Sequence, residues 1–211
     1  MTHPDFDMMR RAMVDSQLRT NSVTEPRLVS ILSDVPRERF VPEALRAAAY
    51  TDRTVPLGNG RYLNTPLATA RLIAEARPMP GDRVLVIGSA TGYAAAVLAG
   101  LTASVTALEE DAALAPVPTA GVSFVTGPLA AGWAAAAPYD LILIDGAVEA
   151  VPPAIVDQLA EGGRLATGIV ERGVTRLAIG RRTGGGFGLV TVLDAEAVSL
   201  PGFAAPPAFT F

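Results

Sequence analysis

The stretch VLVIGSATGYAAAVLAG, Val84 to Gly100, followed by VTALEE, Val105 to Glu110, decides the fold of this chain. An apolar run ends in Gly88, a turn of small residues follows, and an Ala-rich run then continues without a breaker to Gly100. That order reads as strand, tight turn, helix. A second apolar strand comes next, and Glu109 stands at its end, 21 residues after Gly88. This is the layout of a nucleotide pocket in an open α/β sheet. The glycine turn lets a ligand approach the backbone, and the carboxylate can hold a ribose diol.

Composition narrows the function classes. The chain has 211 residues, 50% of them hydrophobic and 18% charged, enough apolar material for a sizeable core. The net charge of −4 argues against a general nucleic-acid or anionic-membrane binder. All 17 basic residues are Arg, so Schiff-base and P-loop lysines are excluded. There is no Cys, and the single His is His3 near the N-terminus. Disulfides, thiolate zinc sites, cysteine nucleophiles and a Ser-His-Asp triad all lack their residues, and no metal site is expected. No secretory leader pattern and no apolar run of spanning length is read, so a cytoplasmic protein is expected.

Before Asp82 the pattern is helical with interruptions. Phe6 to Leu18 alternates apolar and charged residues at helical spacing, and Thr24-Glu25-Pro26 opens a helix over Arg27 to Ser33. A short helix follows at Glu43 to Ala49, then a Gly- and Asn-rich loop or short hairpin at Thr54 to Thr65, then a helix at Leu67 to Ala76. From Asp82 onward the spacing predicts strands at Arg83 to Ile87, Val105 to Leu108, Ser123 to Thr126, Leu141 to Asp145, Arg164 to Ile169, Val174 to Arg181 and Gly188 to Ala197. Helices are predicted at Thr91 to Ala99 and Pro153 to Ala160, and Pro116 and Pro118 keep any helix in Asp111 to Ala120 short. The expected fold is α/β: a doubly wound, mostly parallel seven-stranded sheet of the Rossmann-like kind, with an N-terminal helical extension (1–80), a core (81–200), an antiparallel C-terminal hairpin and a Phe- and Pro-rich tail (201–211) lying over a surface groove.

Several further segments carry a family resemblance. They are VPRERFVPE (Val35 to Glu43), AYTD (Ala49 to Asp52), PLGNG (Pro56 to Gly60), the turn motif at Val84 to Tyr93, APYD (Ala137 to Asp140), VPPA (Val151 to Ala154), Gln158-Leu159 and GGRL (Gly162 to Leu165). In this order and spacing, from about Met13 to Leu200, the chain resembles the protein-L-isoaspartate O-methyltransferases, class I enzymes that use S-adenosylmethionine. The resemblance implies methyl transfer to the α-carboxyl of an L-isoaspartyl residue, with S-adenosylhomocysteine as the second product. Peptides or proteins carrying isoaspartyl residues would be the partners, with neither nucleic acid nor membrane involved. The carboxylate acceptor is already ionised at neutral pH, so alignment rather than acid-base chemistry is the main task.

The resemblance also assigns candidate residues. Gly88, Ser89 and Gly92 form the turn beside the cofactor, and Glu109 holds the ribose. Gly127 and Pro128 fall in the adenine-facing region. Asp145 ends the fourth strand, facing the crevice beyond the sheet. Asn64 falls on the active-site position when the loop is aligned on Pro66, with the Thr65 hydroxyl beside it. Arg61 replaces a Gln and adds a cation for an acidic substrate. The chain departs from the family pattern at Val86, where an acid is usual, at Ala90 and Leu129, where glycines are usual, at Asn64, which replaces a Ser, at Pro128, which replaces an adenine-facing Asp, and at Asp145, where an uncharged residue is usual. Each position also has a plain structural reading: an ordinary strand-to-helix turn, a solvated strand end, a loop that closes a pocket, or an N-cap at Asp145. Three functions stay open: the isoaspartyl methyltransferase, a binding or regulatory protein of the same fold without turnover, and a methyltransferase for another acceptor that uses Asp145.

Overall fold

The computed structural model describes residues 4–204, so His3 and the tail from 205 to 211 lie outside the described residues. Seven strands form one sheet in the order β5-β4-β3-β6-β7-β8-β9, where β3 is Arg83–Ile87, β4 Ser104–Glu109, β5 Val122–Thr126, β6 Tyr139–Val148, β7 Leu159–Glu171, β8 Val174–Thr183 and β9 Gly186–Asp194. The pairs from β5 through β7 are parallel, and β8 and β9 join antiparallel. A separate two-stranded hairpin, β1 (Val55–Gly58) with β2 (Arg61–Leu63), stands outside that sheet.

The central strands show why the sheet forms. Val84, Val86, Leu141 and Leu143 fall in one buried cluster, while Leu85, Ile87, Ile142 and Ile144 fall in another. Successive side chains on a strand point to opposite faces, so a continuous apolar run supplies two cores at once. Each such side chain contributes roughly 1.5–3 kcal/mol on burial. One face is covered by α4 (Tyr93–Ala99) and by the N-terminal helices α1 (Phe6–Met13) and α2 (Pro26–Asp34), whose Met13, Leu28 and Leu32 join the first cluster. Helix α3 (Pro66–Ala76) starts at Thr65, whose hydroxyl oxygen accepts from the Ala68 N–H at 3.0 Å, and Pro66 takes the first turn.

The expected strands are all present, and the Gly-rich loop before Thr65 is a hairpin. The helix expected at Pro153 to Ala160 is confined to α5, Pro153–Val156, because Leu159 already pairs with Tyr139 as the start of β7. Sheet pairing wins over a short helical pattern with Gly162 and Gly163 close behind. The last strand ends at Asp194 rather than Ala197. Beyond it the chain returns to the sheet: Ala147 N–H donates to Val198 O at 2.7 Å, and Leu200 N–H donates to Ala147 O at 2.9 Å. Of the tail, Phe203 is buried with Leu129 and Leu200. No helix among the described residues is long and apolar enough to cross a membrane.

Candidate active site

The strand order reverses between β4 and β6 around β3, which leaves a crevice beyond their carboxyl ends. Two candidate positions meet that crevice, the Gly88 turn after β3 and Glu109 at the end of β4, while Asp145 lies buried on β6. Gly88 has φ +73° and Gly92 φ +100°, both in the left-handed region that glycine adopts freely. A Cβ on Gly92 would lie 2.9 Å from the Phe124 ring, so the helix packs there only because the side chain is absent. Ala90 holds φ +49° between them. It keeps the backbone shape of a glycine with a methyl group attached, a conformation that costs an L-residue roughly 1–2 kcal/mol.

Glu109 is buried and surrounded by donors. Its Oε2 accepts from Arg61 Nη2 at 2.8 Å and from the Ala90 N–H at 2.7 Å. Its Oε1 accepts from Arg61 Nε at 3.2 Å, from the Glu110 N–H at 3.0 Å and from the Asp111 N–H at 3.2 Å. The side chains of Arg61 and Glu109 are only 5% and 9% exposed. Arg61 therefore turns inward to Glu109, which corrects the expectation of a cation free to pair with an acidic substrate.

Asn64 and Asp145 form a second buried constellation. Asn64 Nδ2 donates to Asp145 O at 2.8 Å and to its Oδ1 at 2.9 Å, and Asn64 Oδ1 accepts from the Val198 N–H at 2.8 Å. Thr69 Oγ1 also donates to Asp145 Oδ1, at 3.2 Å. Burial pushes the Asp145 carboxyl above its ordinary range, against the opposing pull of Asn64, Thr69 and the Arg37 guanidinium. Every polar atom of the Asn64 side chain is engaged in holding elements together, and Thr65 serves as the α3 cap. The Asp145 side chain accepts within this buried knot and lies inside β6 rather than at a helix start, so the N-cap reading loses its geometry.

The crevice itself is small. A cavity of about 100 Å³ is lined by Ser89, Ala90, Glu109, Asp111, Phe124 and Thr126 among others. Ser89 is 1% exposed and its Oγ has no hydrogen-bond partner among the described residues. Ser89 and Glu109 thus come together on one wall. Pro128 is exposed, and neither it, Gly127 nor Asp145 lines this space. Gly127 instead donates its N–H to Glu109 O at 3.1 Å and packs near Trp133. Leu200 closes the other side: a Cβ on Gly88 would sit 2.7 Å from its Cδ1 and 3.5 Å from Arg61 Nη2. No sequence pattern marked Val198 or Leu200, because their roles arise from the return of the chain after β9. Arg61 carried a visible signal, the replacement of a neutral amide by a cation, but its partner lies 48 residues away.

A parallel sheet with this order, an antiparallel terminal hairpin and a buried carboxylate at the end of β4 defines a Rossmann-like methyltransferase of class I. A family model described as Protein-L-isoaspartate(D-aspartate) O-methyltransferase (PCMT) matches residues 8–193, and the chain belongs to that family. A protein-L-isoaspartate O-methyltransferase of Koribacter versatilis (strain Ellin345) is 34% identical over 205 residues, 93% of this chain and 92% of its own length. Protein-L-isoaspartate O-methyltransferase 2 of Marinobacter nauticus (strain ATCC 700491 / DSM 11845 / VT8) is 42% identical over 172 residues, 76% of this chain and 77% of its own. Two solved structures agree in fold. One, a protein-L-isoaspartate O-methyltransferase, has a TM-score of 0.78 at 22% identity, covering 92% of this chain and 66% of that one. The other, assigned as a Plasmodium falciparum protein-L-isoaspartate O-methyltransferase in complex with S-adenosyl-L-homocysteine, has a TM-score of 0.74 at 19% identity, covering 94% of this chain and 99% of that one.

Proposed function

We propose that this protein is an S-adenosylmethionine-dependent O-methyltransferase that acts on the carboxylate of isoaspartyl residues in damaged peptides and proteins, in the cytoplasm. The observation that carries the reading is Glu109, a buried carboxylate at the end of β4 facing the Gly88 turn, within a family match that spans residues 8–193. When bound, the cofactor supplies the methyl group on a sulfonium, and the acceptor carboxylate is ionised at neutral pH. The chain's own tasks are binding and exclusion of water. Glu109 is the group able to hold a ribose diol, and Ser89 offers an unpartnered hydroxyl beside it. Asn64, Asp145 and Thr69 fix the floor between β6, α3 and the returning chain.

The cofactor does not fit the conformation described. A cavity of about 100 Å³ falls below the roughly 300–1,000 Å³ typical of small-molecule sites, and Arg61 and Leu200 take the space over the turn. That closure favours a second reading, a family member that keeps the fold without turnover. Labelled S-adenosylmethionine and an isoaspartyl peptide separate the two. Release of volatile methyl label by the purified protein supports the repair enzyme. Its absence, with a cooperative thermal melt to show the fold intact, supports the second reading.

A further inference from the structure

We infer that Arg61 is an internal occupant of the ribose subsite, so that the cofactor is admitted only when the Arg61 guanidinium leaves Glu109; this rests on the methyltransferase reading above. Hydrogen-bond capacity is the first argument. A carboxylate offers about four lone-pair sites. Glu109 already receives two bonds from Arg61 and one each from the N–H groups of Ala90, Glu110 and Asp111. A ribose hydroxyl finds no acceptor there until the guanidinium withdraws, which leaves the three backbone donors in place and opens a site on Oε2.

Space is the second argument. Arg61 Nη2 and Leu200 Cδ1 stand over Gly88 at the distances given above, where a ligand would approach the turn. The remaining cavity holds a fragment and not a nucleoside with an amino-acid arm.

Satisfaction of the two partners is the third, and it is unequal. Without Arg61, Glu109 keeps three backbone donors, so the anion stays solvated by the fold. Arg61 Nη1 has no partner among the described residues, so the cation is incompletely satisfied in place. Arg61 also sits on an element that can carry it. Among the described residues strands β1 and β2 pair only with each other, and their turn runs through Gly58, Asn59 and Gly60 at φ +107°, +49° and +72°. The tip is held to the loop after β4 by one exposed bond, Asn59 Nδ2 to Asp111 Oδ2 at 3.0 Å. Asp111, half-buried beside the site, is a new partner for the departing guanidinium.

The test is a calorimetric titration of S-adenosylhomocysteine into the parent, Arg61→Gln and Arg61→Ala, each checked for a cooperative melt. The expected result is at least tenfold tighter binding in both variants. Equal or weaker binding in folded variants overturns the inference and leaves the methyltransferase reading standing. No binding to any of the three at millimolar ligand overturns both. A stopped-flow experiment on the parent does not depend on the variants folding. The observed association rate should reach a plateau as ligand rises, because latch opening becomes limiting. A rate that rises linearly to diffusion-limited values overturns the inference.

Discussion

Asn64 grips Asp145 twice, at 2.8 Å through the backbone carbonyl and at 2.9 Å through the carboxylate, and with its other side-chain atom accepts from Val198. Three segments distant in sequence meet at one amide. Asn64→Ala removes a partner from a carbonyl, an N–H and a buried carboxyl together, leaving that carboxyl the Thr69 hydroxyl. An unsatisfied buried polar group costs about 1–3 kcal/mol, so a loss of at least ~2 kcal/mol is expected in urea unfolding. Asn64→Ser keeps one polar atom and should lose less. A loss below about 0.5 kcal/mol in Asn64→Ala contradicts the role.

Asp145 carries a pH signature. Its folded-state carboxyl lies above the ordinary value of 3.8 because burial disfavours the charge. The stability it contributes is therefore full below the unfolded value and lost as pH rises through the folded one. As pH rises the parent loses that contribution, whereas Asp145→Asn keeps an acceptor for Asn64 and Thr69 and cannot ionise. The stability of the variant relative to the parent should therefore rise with pH, read as the difference in melting temperature across a pH series. That difference should shrink steadily as pH falls. An advantage that grows on acidification refutes the assignment.

Ala90 offers a gain rather than a loss. Its φ of +49° is sterically costly for an L-residue and free for glycine. Ala90→Gly should raise stability by about 0.5–1 kcal/mol, after the extra chain entropy glycine loses on folding is subtracted. Thermal unfolding measures it directly, and a lowered melting temperature would show that the methyl group packs better than its strain suggests.

The Arg61–Glu109 pair should respond asymmetrically. Glu109→Ala leaves a buried guanidinium without its carboxylate and should cost about 3–5 kcal/mol. Arg61→Ala leaves a carboxylate with three backbone donors and should cost much less, near 1–2 kcal/mol. A double-mutant cycle on the unfolding free energies reads both terms. Equal costs contradict the view that the backbone satisfies Glu109.

Much of this arrangement is legible in the sequence. Apolar runs at Val84 to Ile87 and Leu141 to Ile144 announce a parallel core, and the interval from Gly88 to Glu109 places the carboxylate beside the turn. Local pattern cannot reveal which donors then reach that carboxylate. Arg61 meets Glu109 across 48 residues, and Val198 meets Asn64 across 134, through chain returns that no periodicity encodes. The shortened α5 failed for a different reason: pairing of Leu159 with Tyr139 overrode a helical spacing too short to resist it.

A structure of the protein with S-adenosylhomocysteine tests the central claim most directly. The expected result is a ribose hydroxyl within hydrogen-bond distance of Glu109 Oε2, with the Arg61 guanidinium withdrawn toward Asp111. Ligand bound elsewhere, with Arg61 still on Glu109, contradicts it.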